Sequence, residues 1–252
     1  MSVPLTVTDL CLTLGANEIL CHVNLEVPAR NIVSIMGLSG SGKTSLLRCM
    51  AGLVRPTSGA IKIGDLEITE ISEEGLNKHR ARMGMVFQYS ALFDSMNVYD
   101  NVAFGLRYNL HLPRAQVRSK VEAMLAAVGM EGTEKLFPAE LSGGMRKRIS
   151  LARALAPGPQ VVFYDEPTSG LDPIVTTMMN ELILSVRDSQ GVTSVVVTHD
   201  VQSALSISDR TALLVDGRIL AYDTPEQLRA SEDAGVRQFL TGSSHGPILV
   251  SA

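Results

Sequence analysis

Residues 32–44 read IVSIMGLSGSGKT, and this stretch decides the fold. Its first part, Ile32 to Met36, has no polar alternation, as is typical of a strand covered on both faces. A glycine-rich loop follows, and Ser45 to Ala51 then form a helical pattern. Strand, glycine-rich loop and helix in this order are the context in which such a loop binds phosphate. The glycines let backbone N–H groups converge on phosphate oxygens at the positive end of the helix dipole.

Two residues of the loop have side chains suited to a nucleotide. Lys43 is expected to reach the β- and γ-phosphates, and Thr44 to ligate Mg²⁺. The alternative, a glycine-rich turn that only precedes a helix, is disfavoured because the motif is complete and in its expected context. The predicted phosphate-binding residues are Gly37, Ser39, Gly40, Ser41, Gly42, Lys43, Thr44 and Ser45.

A second buried-strand pattern, VVFYDE at residues 161–166, ends in two acids. The carboxyl ends of parallel strands form the edge where open α/β sheets bind ligands. We expect Asp165 to hold the Mg²⁺ shell, and Glu166 to orient and activate an attacking water. Taken alone, the acids could instead form a solvated turn before Pro167. A phosphate loop and strand-end acids occur together in kinases, GTPases and many ATPases, so they do not choose a reaction.

Other segments predict an α/β fold with a parallel sheet. Val195 to Val197 is another apolar run, and helical patterns follow several of these runs. Asp172 is expected to cap a helix that has Pro173 at its first position. Apolar residues then recur at helical spacing at Ile174, Met178 and Leu182, and the methionines expected to fill the core are Met124, Met178 and Met179.

Between Gln88 and Gly158 the pattern becomes helical. One helix face is marked by Val117, Val121, Leu125 and Val128, and Gly129 is expected to end that helix. The stretch from Thr241, which contains three glycines or prolines among small polar residues, is expected to be an irregular tail.

Composition limits the class of protein. The chain has 252 residues, a formal net charge of -4 and a sequence pI near 5.8, so no uniform basic field favours nucleic acid as a partner. Three cysteines without paired spacing suggest neither a disulfide framework nor a zinc site, and a reducing cytosol fits best. The first residues do not resemble a secretory signal, and no apolar run approaches the ~20 residues that span a bilayer. A role at a membrane is therefore expected to go through a partner.

Residues 141–145, which are Leu141, Ser142, Gly143, Gly144 and Met145, lead into a helix. This segment resembles the signature sequence of ATP-binding-cassette (ABC) ATPases. Its hydroxyl and backbone donors at a helix N-terminus suit a γ-phosphate, although a helix cap without any ligand is the alternative. The resemblance implies a head-to-tail homodimer in which two ATP molecules lie between one subunit's phosphate loop and the other's signature.

Further elements of the ABC family follow in the expected order. Gln88 resembles the family's glutamine that senses the γ-phosphate and Mg²⁺, and His199 resembles the histidine that contacts the γ-phosphate. A lone glutamine or histidine at a strand end is more often structural, but their order here favours the functional role. The segment that crosses the dimer interface in the family corresponds to Ser169, Gly170, Leu171 and Asp172.

The resemblance implies an α/β fold with a P-loop (RecA-like) parallel sheet core, an N-terminal antiparallel β portion and an inserted α-helical subdomain. A single ABC ATPase domain is expected over residues 1–240. Its nucleotide-binding core is formed by residues 1–88 and 159–240, its helical insert with the signature by residues 89–158, and the C-terminal tail by residues 241–252. The implied activity is ATP hydrolysis with Mg²⁺.

The chain departs from the family at two positions. Leu14 stands where many members have an aromatic residue that stacks on adenine, so adenine selectivity is left open. Met145 stands where many have glutamine, a change typical of a subfamily.

Residues 87–102, FQYSALFDSMNVYDNV, resemble the ATPases of Mce-type lipid transporters. LSGGMRKR at residues 141–148 and VRQFL at residues 236–240 point the same way. This resemblance implies phospholipid transport between membranes, in support of outer-membrane lipid asymmetry. The implied partners are permease subunits, a periplasmic Mce-domain protein and a small cytosolic STAS-domain protein, with the ATPase peripheral on the cytoplasmic face of the inner membrane.

Two surface questions stay open. The apolar residues Leu92, Phe93, Met96, Val98, Tyr99 and Phe104 either form a socket for a cytosolic helix of the permease or pack the insert's own core. The basic residues Arg146, Lys147 and Arg148 are expected on a solvated helix face, or in contact with permease or nucleotide.

Three other functions compete. An ABC importer for amino acids or another polar solute would use identical ATP chemistry. A non-transport ABC ATPase of ribosomes or DNA usually has two cassettes or a long coiled-coil insertion. A P-loop kinase or GTPase leaves residues 141–145 and His199 unexplained.

Overall fold

A computed structural model describes residues 2–249. The strands are β1 Leu5–Leu14, β2 Asn17–Val27, β3 Ile32–Met36, β4 Ser58–Ile63, β5 Leu66–Glu67, β6 Met83–Val86, β7 Val161–Asp165, β8 Thr193–Val197, β9 Arg210–Val215 and β10 Arg218–Asp223. The helices are α1 Lys43–Met50, α2 Glu73–Arg80, α3 Val98–Tyr108, α4 Arg114–Ala127, α5 Gly143–Leu155, α6 Pro173–Gln190, α7 Val201–Ile207, α8 Pro225–Arg229 and α9 Ala234–Thr241. A 3₁₀ turn at Pro138–Glu140 precedes α5.

The larger sheet has the strand order β10-β9-β3-β8-β7-β6. From β9 to β6 every pairing is parallel, and β10 joins the edge antiparallel to β9. The smaller sheet, of order β2-β1-β4-β5, is antiparallel. The predicted fold class, a parallel core with an N-terminal antiparallel portion, is confirmed, and the antiparallel edge strand β10 is an addition to it.

Both faces of the parallel sheet are covered, which explains its uninterrupted apolar strands. Val161 and Phe163 of β7 face a core shared with the small sheet and α1. Val162 and Tyr164 point to the opposite face, where they join a core formed with α3 to α6. Because successive side chains of a strand alternate between faces, every residue of β7 is buried.

Each regular element between residues 88 and 158 is helical. The predicted face of α4 is buried at Val117, Val121, Leu125 and Val128, and Gly129 follows the helix with a φ of 65°. The helix predicted after Asp172 is also present, with the Asp172 carboxylate accepting from the N–H groups of Ile174 and Val175. The division of the chain at residues 88, 158 and 240 stays a prediction.

The face that α6 buries differs from the predicted one. Met178 is 44% exposed and Ile174 is 75% exposed, so neither fills the core. The buried residues of α6 are Met179, Ile183 and Val186. The predicted series Ile174, Met178 and Leu182 and the buried series both have helical spacing, and they differ by one residue. Only packing against the neighbouring sheet selects the buried one.

The segment after α9 folds back against that helix. The side-chain amide of Gln238 donates to the backbone oxygen of Ile248, and its oxygen accepts from the backbone N–H of the same residue. The predicted irregular tail is thus anchored as far as Ile248, and residues 250–252 of that prediction lie outside the described part. Among residues 2–249, no helix is both long enough and apolar enough to cross a bilayer.

Candidate active site

The segments with predicted site residues meet because they follow neighbouring parallel strands. The glycine-rich loop follows β3, Gln88 lies just beyond β6, Glu166 follows β7 and His199 lies just beyond β8. These strands are adjacent in the order β3-β8-β7-β6, and parallel strands end at the same edge of the sheet. Segments far apart in the chain are therefore brought to one edge.

Glycine is required in the phosphate loop for two physical reasons. Gly42 caps α1 with a φ of 99°, in the left-handed region that side chains disfavour. A Cβ on Gly37 would lie 2.2 Å from the backbone oxygen of Leu214, so a side chain would push the loop away from β9. The loop is consequently held at the N-terminus of α1, where unpaired N–H groups suit an anion.

The Lys43 side chain is buried within the loop. Its ammonium donates to the backbone oxygens of Gly37 and Leu38, at 2.9 and 2.7 Å. Burial lowers the pKa of Lys43, and the nearby carboxylates of Glu166 and Asp165 oppose that change. The hydroxyl of Ser41 is buried with no hydrogen-bond partner among the described residues, which fits a loop that binds phosphate oxygens.

Thr44 and Asp165 bring two oxygen ligands together. The Thr44 hydroxyl donates to Oδ1 of Asp165 at 3.1 Å. Burial raises the pKa of Asp165, while the Thr44 hydroxyl and the basic side chains of Arg48 and Lys43 counteract the rise. A hydroxyl beside a carboxylate is a ligand pair that suits a hard cation such as Mg²⁺.

Glu166 and His199 form a hydrogen-bonded pair. Nδ1 of His199 lies 2.9 Å from Oε2 of Glu166 and donates to the carboxylate in the neutral tautomer protonated at that nitrogen. Glu166 is nearly buried, whereas most of the His199 side chain is exposed to the cavity described next. The carboxylate is thus fixed in orientation and remains open toward that cavity.

A cavity of about 560 Å³ is lined by nine of the twelve residues predicted to bind phosphate or Mg²⁺ or to act in catalysis. Its lining consists of Ile19, Ser39, Gly40, Gly42, Lys43, Thr44, Ser45, Gln88, Glu166 and His199. Gly37, Ser41 and Asp165 do not line the cavity. Gly37 accepts from the Lys43 ammonium, and Asp165 accepts from the Thr44 hydroxyl. Ile19 was not predicted, and Leu14, the residue aligned with the adenine-stacking position, is 52% exposed and does not line the cavity. Only the tertiary structure reveals Ile19, because its backbone oxygen would lie 2.9 Å from a Cβ on Gly42.

The predicted signature segment does not line the cavity of its own chain. Ser142 caps α5 by accepting from the N–H of Met145 at 3.2 Å, and Ser142 and Gly143 are exposed. The segment 169–172 is also outside the lining, and Asp172 there caps α6. The N-terminus of α5 is therefore open to a second molecule.

The prediction for the basic cluster was wrong at Lys147. This residue is only 5% exposed, and its ammonium donates to the backbone oxygens of Gln88 and Glu166, each at 2.9 Å. It lies on the inner face of α5, where Ile149 and Ser150 are also buried. The signal in the sequence was weak: Lys147, Ser150 and Arg153 are spaced by three, which is compatible with one helix face.

The family profile described as ABC transporter matches residues 20–169, more than half of the chain. The match includes the phosphate loop, the 141–145 segment and both strand-end acids. The chain belongs to the ABC transporter family. Its predicted ATPase activity, which is the activity of the family's ATP-binding cassettes, is confirmed by this membership.

Individual relatives of this ABC ATPase are similar over almost its whole length. The intermembrane phospholipid transport system ATP-binding protein MlaF of Escherichia coli (strain K12) is 44% identical over 240 residues, covering 95% of this chain and 89% of MlaF. The probable ribonucleotide transport ATP-binding protein mkl of Mycobacterium tuberculosis (strain ATCC 25618 / H37Rv) is 40% identical over 251 residues, covering 100% of this chain and 70% of mkl.

Solved ABC cassettes share the fold. The dimeric post-hydrolysis state of the ATP-binding cassette MJ0796, bound to ADP and Pi, has a TM-score of 0.80 and 29% identity. The comparison covers 88% of this ABC ATPase and 98% of that chain. The predicted family and fold are thus confirmed, and the roles of individual site residues stay predictions.

Proposed function

We propose that the cavity binds ATP with its phosphates on the glycine-rich loop and that Glu166 takes a proton from the attacking water. The N–H groups at the start of α1 and the Lys43 ammonium supply positive charge for the phosphates. The hydrogen bond from His199 keeps the Glu166 carboxylate turned toward the cavity. The observation that carries the proposal is that one cavity contains the loop, Lys43 and Glu166 together.

Mg²⁺ belongs to the same proposal. Thr44, Asp165 and Gln88 would hold the ion, and the hydroxyl and carboxylate oxygens already lie 3.1 Å apart. When bound, the ion offsets the negative charge of the phosphates.

The N-terminus of α5, at residues 141–145, is proposed to bind the ATP of a second copy of the chain. Leu141 to Met145 lie outside the cavity of their own subunit, while the N-terminus of α5 is exposed. A head-to-tail homodimer would bring this helix end to the γ-phosphate in the partner's cavity. Segment 169–172 would cross that interface, and the dimeric state of the MJ0796 cassette favours a dimer. ATP can close the dimer only because it binds the closed form more tightly than the open form.

The partner on the membrane side is proposed to be a permease that docks on an aromatic row. Phe93 is 40% exposed and stacks on Phe104 with ring centroids 4.8 Å apart, and Phe104 stacks on Tyr108 at the same distance. Of the other apolar residues in this region, Val98 is fully buried, and Leu92 and Tyr99 pack against the core. The row therefore suits a cytosolic helix of the permease.

Replacing Phe93 with alanine tests this docking site. The Phe93→Ala variant should bind ATP normally, because Phe93 does not line the nucleotide cavity, but should recover less permease in co-purification. Leu53→Ala, another exposed apolar residue, is the control. Unchanged permease recovery would count against the socket.

The proposed cargo is phospholipid, carried between membranes in the manner of an Mla system. The 44% identity to MlaF over almost the full length is the observation that favours it. The chain would act peripherally on the cytoplasmic face of the inner membrane, with a permease, a periplasmic Mce-domain protein and a small STAS-domain protein. Its relative mkl is named for probable ribonucleotide transport, so the cargo must be measured.

The experiment is to purify the subunit from its native membrane and identify the proteins and lipids that accompany it by mass spectrometry. A permease, an Mce-domain protein and bound phospholipid are the expected result. A permease with a solute-binding protein would overturn the lipid cargo in favour of a polar-solute importer. Ribosomal proteins or DNA in place of a permease would overturn the transport function.

A further inference from the structure

Lys147 connects helix α5 with the backbone at Gln88 and at Glu166, outside the cavity lining. It belongs to α5, the helix that begins at the signature segment, and its ammonium donates at 2.9 Å to the backbone oxygens of Gln88 and Glu166. Lys147 does not line the nucleotide cavity. Two of its three N–H groups are thus committed to the backbone of two predicted site residues.

The same face of α5 holds the loop after Gln88 at two more points. The Ser150 hydroxyl donates to the backbone oxygen of Ser90 at 2.9 Å. Arg153 donates to the backbone oxygens of Ala91 and Ser90, at 2.7 and 3.2 Å. Side chains spaced by three along one helix therefore bind the carbonyl groups of residues 88, 90 and 91, so the loop and α5 are expected to move together.

The backbone groups held in this way are strained. Glu166 has a φ of 49°, and Ser90 and Ala91 have φ values of 62° and 46°. Non-glycine residues rarely adopt such left-handed conformations, which persist only when surrounding contacts fix them. In this conformation the carbonyl of Glu166 accepts from the Lys147 ammonium at 2.9 Å and from the backbone N–H of Ser169 at 3.2 Å.

Electrostatics are compatible with a cation at this position. Burial lowers the pKa of Lys147, and the carboxylates of Glu166 and Asp165 oppose that change. Hydrogen bonds from a charged donor are stronger than those from a neutral one. Removal of the ammonium would take this donor from the half-buried carbonyl of Gln88 and leave the buried carbonyl of Glu166 with only the N–H of Ser169 among the described residues.

We propose that Lys147 is a positioning residue for ATP hydrolysis, which holds the backbone of Glu166 in register with α5 and the 88–91 loop. A shift of α5 on dimer closure is then transmitted directly to the residue that activates water. The inference rests on the proposed role of Glu166. It assigns to Lys147 a task in turnover and none in nucleotide binding.

The test compares Lys147→Met, which keeps the length of the side chain without N–H groups, with Lys147→Gln, which keeps two N–H groups on a shorter side chain. The proteins are purified with their native membrane partners and assayed with ATP and Mg²⁺. Lys147→Met should lower kcat about tenfold while the Kd for ATP stays within about twofold, because a lost charged hydrogen bond displaces the base but leaves the cavity lining intact. Lys147→Gln should retain more activity than Lys147→Met.

Hydrogen exchange supplies a readout that does not depend on turnover. Backbone amides of residues 88–91 and of Glu166, Thr168 and Ser169 should exchange faster in Lys147→Met than in the unsubstituted protein. Lys120→Met, on the exposed face of α4, is the matched control and should change neither kcat nor exchange in these segments.

Two results would overturn the inference: an unchanged kcat in Lys147→Met, or a Kd that weakens as much as kcat falls. If Lys147→Met does not fold, Lys147→Leu, which also has no N–H group, carries the test, and an unchanged kcat there has the same meaning. Glu166→Gln is measured in parallel. Normal turnover in Glu166→Gln would remove the proposed base itself, whereas an inactive Glu166→Gln beside an unaffected Lys147→Met would reject only the role of Lys147.

Discussion

Glu166 is constrained at both its backbone and its side chain. It directly follows β7 at the edge of the sheet, and its backbone adopts a left-handed φ of 49°. Its carbonyl accepts from Lys147, and its carboxylate accepts from His199. Such a carboxylate has little freedom to lose when a reaction begins, which is the advantage of a preorganised base.

Glu166→Gln should therefore separate ATP binding from hydrolysis. The amide has almost the shape of the carboxylate but cannot accept the proton, so kcat should fall at least about a hundredfold. ATP should still bind and should hold a stable dimer. Phosphate release and size-exclusion chromatography with ATP measure the two effects.

The exposed Glu131 provides the control for this substitution. Glu131→Gln should hydrolyse ATP at the normal rate. Normal turnover by Glu166→Gln would remove Glu166 from the role of base.

Helix α5 has two faces with different tasks. Ile149, Ala152 and Leu155 are buried in the core that α5 shares with the parallel sheet. Another face carries Lys147, Ser150 and Arg153, which bind carbonyl groups of the 88–91 loop. The helix thus packs by apolar contact and fixes a strained loop by hydrogen bonds.

Arg153→Met should loosen this loop with a modest loss of stability. The oxygen of Ser90 keeps the Ser150 hydroxyl, and the exposed Ala91 can turn to water. The guanidinium also lies 5.7 Å from the centre of the Phe93 ring, a cation–π contact that the variant loses. Together these losses should lower the free energy of unfolding by about 1–2 kcal/mol, as measured by urea denaturation.

Arg118→Met in α4 is the control for Arg153→Met, because Arg118 is exposed and its one ion-pair partner among residues 2–249 is Glu122 on the same helix. Surface pairs of this kind contribute less than about 1 kcal/mol. Equal stability of the two variants would contradict the assigned role of Arg153.

The described part of the chain presents two separate helix N-termini that suit an anion. The cavity lies at the carboxyl edge of the parallel sheet, whereas the N-terminus of α5 with Ser142 and Gly143 is exposed outside it. If both features contact the same ATP, two copies of the chain must meet. The dimer is thus a consequence of where the fold puts residues 141–145.

Gly143→Ala tests this arrangement. Within one chain, a Cβ on Gly143 would meet nothing within 4 Å, and alanine is the better helix residue, so folding and ATP binding should be preserved. In the dimer the added methyl group would obstruct close approach of the partner's phosphate. ATP-dependent dimerisation and hydrolysis should both decrease, by about tenfold or more for a displaced hydrogen-bond donor.

Gly75→Ala is the matched control, because Gly75 also lies in the first turn of a helix and a Cβ there would make only ordinary contacts. It should leave dimerisation and hydrolysis unchanged. Full activity of Gly143→Ala would contradict the proposed site across the dimer.

Local motifs were sufficient for the fold class and for the family. The phosphate loop, the strand-end acids and residues 141–145 are short contiguous segments whose chemistry can be read without knowledge of their neighbours. Parallel strands then bring the phosphate loop and the strand-end acids to one edge, so nine of the ten residues that line the cavity could be named in advance.

Other features depended on which surfaces meet in the folded chain. Lys147 was expected in solvent but is buried, because its acceptors at Gln88 and Glu166 are 59 and 19 residues away. Met178 was expected in the core but is exposed, because two series on α6 have helical spacing and only the adjacent sheet selects one. Burial arises from contacts between distant segments, and spacing along a single helix does not contain that information.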